Sequence, residues 1–161
     1  MSDNIELLSI PGKWDLTYNY TAGETISKFL IEIRDNARIM ATKCNQCNRV
    51  IVPPRSYCER CFISIKDNWV ELEPTGTLEA YTIVTYKFEG LPDPPYIIGY
   101  FRLKGADTTI PHFLTGIDLS DLEFARKKIK VGLPVRLIFK NRGQREGRMT
   151  DFRIEPLQHD R

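Results

Sequence analysis

The sequence predicts a mainly β protein with one helical segment near its N-terminus, and three observations carry that reading. Two Cys-x-x-Cys pairs lie close together, Cys44-Asn-Gln-Cys47 and Cys58-Glu-Arg-Cys61. From Asp67 onward the chain runs in short β-branched and aromatic segments divided by turn residues. Before the cysteines, Ile26, Phe29, Leu30 and Ile33 recur at helical spacing.

The cysteine pairs define the middle of the chain. Two residues between cysteines let a tight turn aim both sulfurs at one ion, and the ten residues between the inner members can return as a short hairpin. Cys44, Cys47, Cys58 and Cys61 are therefore the expected ligands of a four-thiolate, rubredoxin-like zinc ribbon. A closed shell of four sulfurs leaves no position for water or substrate, so the expected zinc is structural. These are also all the cysteines in the chain, which leaves no thiol for nucleophilic catalysis or a disulfide.

The N-terminal segment, 1–36, is expected to hold an extended stretch and a helix. Trp14, Leu16, Tyr18 and Tyr20 alternate with smaller residues, the pattern of a strand-like run laid across another surface. Thr21-Ala22-Gly23-Glu24 matches a capping box at a helix start. The apolar stripe that follows is expected to dock or brace, with Phe29 and Ile33 at its centre, against the rest of the protein or a partner. Asp35-Asn36 is read as a turn, with a strand from Ala37 to Lys43 into the first knuckle.

The ribbon is assigned to 37–66. Val50 to Arg55 gives a short β run stopped by Pro53 and Pro54, which places it at an edge. Segment 67–161 is assigned to a five-stranded barrel with strands at 77–86, 96–103, 109–115, 133–139 and 149–154. A short helix, 118–125, is expected between the third and fourth strands, capped by Ser120 with Glu123. Five strands with a helix at that point is the order of an OB-fold.

Composition narrows the function. The 23 basic and 21 acidic residues leave a net charge of +2, which weighs against a chain built to coat nucleic acid. The sequence begins without a basic n-region and apolar stretch, and no run approaches the roughly 20 apolar residues of a membrane span. A cytoplasmic location, with thiols that are reduced and free to bind metal, is the resulting expectation. His112 and His159 are the two histidines, and neither sits in a catalytic motif; no G-x-S-x-G, P-loop or G-x-G-x-x-G occurs.

The ordered combination of these features resembles one family. A helical lead-in, the two-pair ribbon with Pro53-Pro54-Arg55 before its second knuckle, Trp69-Val70-Glu71-Leu72 with Gly76, Pro95-Tyr96, Val131-Gly132-Leu133-Pro134-Val135 and Phe152 are similar to the zinc-ribbon/OB-fold acyl-CoA-associated proteins. The resemblance implies a non-catalytic accessory subunit. It implies partners of the thiolase type, or a thiolase with hydroxymethylglutaryl-CoA synthase as in archaea, and a CoA thioester held between the proteins. Residues suited to such a ligand are the cations Arg55, Lys140, Arg142, Arg145 and Arg148 for phosphates, and Tyr86, Phe88 and Tyr96 for a pantetheine groove. The rival reading is single-stranded nucleic-acid binding, with bases stacked on Tyr81, Tyr86, Phe101 or Phe139.

Overall fold

A computed structural model describes residues 8–14 and 16–157 of the chain. Helix α1 spans Gly23–Asn36. It buries Thr25, Phe29 and Ile33 along one face, as the periodicity requires. The expected capping box is not made. Ala22 is the N-cap with no side-chain bond, and Thr21 Oγ1 accepts instead from the Gly23 amide at 3.2 Å. Asp35 and Asn36 continue the helix, and the turn falls at Ala37, left-handed at φ 51°. A left-handed residue after the last turn is a common way to end a helix.

Strands β1 (Ile39–Lys43), β2 (Val50–Ile51) and β3 (Trp69–Leu72) form a three-stranded antiparallel sheet in the order β2-β1-β3. Val50 to Arg55 was expected to pair further, but only Val50 and Ile51 do so; Pro53 and Pro54 lack the N–H a ladder needs. Trp69 pairs with Thr42 and Leu72 with Ile39, so the strand after Asp67 joins the ribbon's sheet before the chain enters the barrel.

The barrel closes in the order β4-β5-β6-β8-β7, with β4 at Thr75–Val84, β5 at Tyr96–Leu103, β6 at Ile110–Leu114, β7 at Pro134–Phe139 and β8 at Phe152–Pro156. Helix α2 (Leu122–Lys128) connects β6 to β7, the connection that marks an OB-fold. Its cap is Asp121, which accepts from the Phe124 amide at 3.1 Å; Ser120 lies one residue too early. The last strand starts at Phe152 because Met149–Asp151 make a 3₁₀ turn. Along β5 every second side chain points inward, and Ile97, Phe101 and Leu103 are buried there.

One apolar core joins the helix, ribbon sheet and barrel. Phe29 and Ile33 pack in the same cluster as Ile39, Leu78, Phe101, Val135 and Ile154. Of the two expectations for this helix face, docking against the rest of the protein is the one realised, and the centre of the stripe is closed to a partner: Phe29 and Ile33 are only 1% and 0% exposed. The stretch around Trp14 is the reverse case. Trp14, Leu16, Tyr18 and Tyr20 stand in solvent rather than across a surface, and Asp15 and His159 lie outside the described residues. No helix among those residues is long and apolar enough to cross a membrane.

Candidate metal centre and ligand groove

Each cysteine pair sits on a turn that brings its sulfurs together. The Cys44 amide donates to the Arg49 carbonyl (2.8 Å) and the Cys58 amide to that of Ile63 (3.0 Å), closing two matching knuckles. The Cys47 amide points back at Cys44 Sγ, 3.5 Å away. All four sulfurs lie within 4.8 Å of one another, and Cys47 and Cys58 are 3.7 Å apart. A tetrahedral zinc with bonds of about 2.3 Å sets its sulfurs about 3.8 Å apart, so the cluster has the dimensions of a metal cage.

Electrostatics agree with that fit. Amides from Cys47 and Gln46 draw the Cys44 thiol down to about 7, while burial and the three neighbouring sulfurs push Cys61 up to about 12. Four sulfurs this close cannot all ionise without a cation among them, and a divalent ion supplies that charge. Cys44 and Cys58 are buried with Ile51 and Ile65 around them, and Cys47 and Cys61 are half-buried; four sulfurs complete the shell of a tetrahedral ion and leave it no open position for substrate.

The first groove lies between α1 and the barrel. It encloses about 480 Å³ and is walled by Ile26, Phe29, Leu30, Pro53, Ile98 and Met149, among others, with almost no polar surface. A second of about 480 Å³ adjoins it across His112, Phe113 and Thr150, and reaches Pro92, Pro95, Tyr96 and Arg153. Tyr96 enters at the first residue of β5, with its ring edge-on to Phe113 at 5.6 Å. Its hydroxyl is buried with no hydrogen-bond partner among the described residues. His112 stacks on Phe152 at 4.4 Å, and its Nε2 donates to the Met149 carbonyl at 2.9 Å. It is a wall of the groove, held by packing.

The candidate cations are spread out. Arg55 lies beside the second knuckle, 3.6 Å from Glu59. Arg145 lies at the other end of α1, where its Nη1 donates to the Ile33 carbonyl at 3.1 Å. Lys140 approaches Asp151 at 3.7 Å and Arg148 pairs with Glu146 at 3.2 Å. Arg142 is exposed and makes no ion pair among the described residues. Asp151 organises this loop, because one carboxylate oxygen accepts from the Glu146, Gly147 and Arg148 amides at 2.7–3.0 Å. Burial works to raise its pKa, but those three amides and Lys140 outweigh it and hold the carboxyl below the usual range.

Tyr86 and Phe88 project from the loop between β4 and β5 and are exposed. The expected ligand residues therefore fall in three places: Tyr96 in the groove with Tyr86 and Phe88 on the loop before it, the basic loop at the end of α1, and Arg55 at the ribbon. Sequence reasoning did not find the groove walls Ile26, Leu30, Pro53, Ile98 and Met149. Ile26 and Leu30 carried a signal, since they flank the Phe29–Ile33 stripe at helical spacing and are only half-buried.

Fold and metal cage together define a two-part protein, a four-cysteine ribbon fused to an OB barrel. Residues 32–65 match the rubredoxin-like zinc ribbon domain of ChsH2, and residues 69–140 match the C-terminal OB-fold domain of ChsH2. The chain belongs to that family. Several solved structures share its fold, two of them as follows. One is a protein of unknown function from the DUF35 family of Sulfolobus solfataricus, with 24% identity and a TM-score of 0.61, covering 83% of this chain and 86% of that one. The other is from an Ltp2-ChsH2(DUF35) aldolase, with 22% identity and a TM-score of 0.58, covering 85% of this chain and 98% of that one. Among curated proteins none matches.

Proposed function

We propose that this chain is a non-catalytic accessory subunit of an acyl-CoA-processing enzyme, with a structural zinc in its ribbon. A subunit of this kind works by position. It contributes a surface to the partner and a cover to the CoA-bound intermediate, while the partner supplies the nucleophile. The chain's four cysteines are committed to the cage, and no described residues assemble a nucleophile, base and anion hole.

The observation that carries the ligand side of this reading is the apolar groove with the orphan Tyr96 hydroxyl beside it. Ligand sites are mostly apolar clefts with a few placed polar groups. Pantetheine is a long, mostly neutral arm ending in a thioester, and its amides and carbonyls offer the hydrogen bond that Tyr96 lacks. The nucleotide phosphates need cations, and Arg142 on the basic loop is exposed for that role. For the partner, the family's ChsH2 in an aldolase with Ltp2 supports an enzyme of carbon–carbon bond chemistry. A thiolase-type enzyme or hydroxymethylglutaryl-CoA synthase is the class we assign, and cytoplasm is the compartment in which both the thiolates and CoA are at hand.

The nucleic-acid reading loses its stacking platform. Phe101 is fully buried, Tyr81 is tied to the Ile129 carbonyl at 3.0 Å, and Phe139 packs against Phe152 at 5.7 Å. Tyr86 alone of that set is exposed.

Calorimetric titration of acetyl-CoA, and separately of a single-stranded oligonucleotide, tests the ligand. Saturable CoA binding that weakens in Arg142→Ala is expected. Oligonucleotide binding that falls steeply with salt, without CoA binding, would overturn the reading.

A further inference from the structure

The apolar stripe of α1 is wider than the core it serves. Phe29 and Ile33 are buried, whereas Ile26 and Leu30 in the same stripe are half-buried and wall the groove between the helix and the barrel. The barrel contributes Ile98 from β5 and Met149 from the turn before β8. Single apolar side chains on a surface carry no meaning. Apolar side chains from separate elements gathered around one cleft are the usual form of a small-molecule site.

Two observations say what fills it. The first is continuity. This groove and the one beside Tyr96 share His112, Phe113 and Thr150, so a ligand lying along the second runs into the first. The second is a change of polarity at that junction. The Tyr96 side holds a buried hydroxyl without a partner, whereas no residue walling the α1 side is charged. His112 adds no free polar group there, because Nδ1 faces the Phe113 carbonyl at 3.2 Å and Nε2 the Met149 carbonyl at 2.9 Å. Thr150 brings the hydroxyl of the shared wall, and a hydroxyl can donate to a thioester carbonyl.

We infer that the groove beside α1 is the acyl pocket of the CoA thioester and takes an uncharged hydrocarbon chain of medium length; the inference rests on the acyl-CoA reading above. The pantetheine arm lies along the Tyr96 groove, the thioester at the shared wall, and the chain between α1 and β5. A volume of about 480 Å³ is that of a small-molecule site and far exceeds what an acetyl group occupies. A carboxylated acyl group such as glutaryl is disfavoured, since its charge would lose water with no cation to receive it. A hydrocarbon chain instead gains about fourfold in affinity for each methylene it buries.

Acetyl-, octanoyl- and glutaryl-CoA are titrated by calorimetry into the zinc-loaded full chain, and into Ile26→Trp and Ile98→Trp, each of which sets an indole in the groove. Burying three of the six carbons that octanoyl adds to acetyl is worth about 60-fold. The expected wild-type preference for octanoyl-CoA over acetyl-CoA is therefore at least about 30-fold, at one ligand per chain. Glutaryl-CoA should bind no tighter than acetyl-CoA. In each tryptophan variant that keeps the wild-type melting point, the octanoyl-to-acetyl ratio should fall below about threefold. The wild-type series decides the matter even where a variant does not fold. Equal affinity for acetyl- and octanoyl-CoA would overturn the inference and leave the acyl-CoA reading intact. So would a preference for octanoyl that glutaryl shares, or one that a folded tryptophan variant keeps. Binding of none of the three thioesters removes the acyl-CoA reading and the pocket together. Loss of a co-purifying enzyme, or of a wild-type dimer, in Ile26→Trp with no octanoyl preference in the wild type would assign the groove to a protein, against the inference.

Discussion

The hydroxyls of Thr25 and Ser56 lie 2.7 Å apart, joining the first turn of α1 to the loop that enters the second knuckle. Thr25 is buried, so this bond satisfies a polar group that water does not freely reach. It fixes the helix against the ribbon at one end, as Arg145 on the Ile33 carbonyl fixes it against the basic loop near the other.

Replacing Ser56 with Ala should cost about 1–2 kcal/mol, because the Thr25 hydroxyl is left unsatisfied. Replacing both residues, Thr25→Val with Ser56→Ala, should recover part of that loss. A double-mutant cycle by chemical denaturation measures the coupling directly.

Metal removal should undo the ribbon and leave the barrel's β structure largely in place. The ribbon's own core is small, with Ile51 and Ile65 buried beside Cys44 and Cys58, and zinc binding worth on the order of 10 kcal/mol takes the place of a larger one. Cys44→Ser or Cys61→Ser should lose the metal by elemental analysis and fail to assemble with the partner. Retention of both by either variant would contradict a structural zinc.

Asp151 makes stability depend on acid. Its folded pKa is depressed by three amides and Lys140, so its contribution is present above the unfolded carboxylate value of about 3.9 and is lost as pH falls through the lower folded value. Asp151→Ala should lower stability near neutrality by about 2–3 kcal/mol, since the loop amides lose a charged acceptor. The variant's melting point should also fall less than that of the wild type between pH 4 and pH 2.

Tyr96→Phe separates folding from binding. The hydroxyl is buried without a partner, so its removal should leave the free chain equally stable or stabilise it by about 1 kcal/mol. Affinity for acetyl-CoA should drop several-fold if the hydroxyl receives the ligand's hydrogen bond. Melting curves and calorimetry on the same preparation give both numbers.

Much of this was legible in the chain. The cysteine spacing located the cage because metal geometry is local, and the strand order located the barrel because β-branched runs and turn residues alternate cleanly. Caps were less legible. Thr21 and Ser120 have the right chemistry, but Ala22 and Asp121 take the cap positions once tertiary packing sets where each helix begins. Phe29 and Ile33 dock against the rest of the protein, the simpler of the two readings of their stripe; periodicity marks an apolar face without saying what covers it, so the alternative of a partner was settled only by the packing. The groove was hidden because its walls come from α1, Pro53, β5, β6 and the turn before β8, brought together only by barrel closure.

The most direct measurement is affinity purification of the chain from its native cells, with mass spectrometry of the co-eluting proteins and of any bound CoA thioesters. Recovery of a thiolase-type enzyme, hydroxymethylglutaryl-CoA synthase or related aldolase, together with a CoA thioester, is the expected result. Recovery of nucleic-acid-processing proteins, with neither an acyl-CoA enzyme nor CoA, would contradict it.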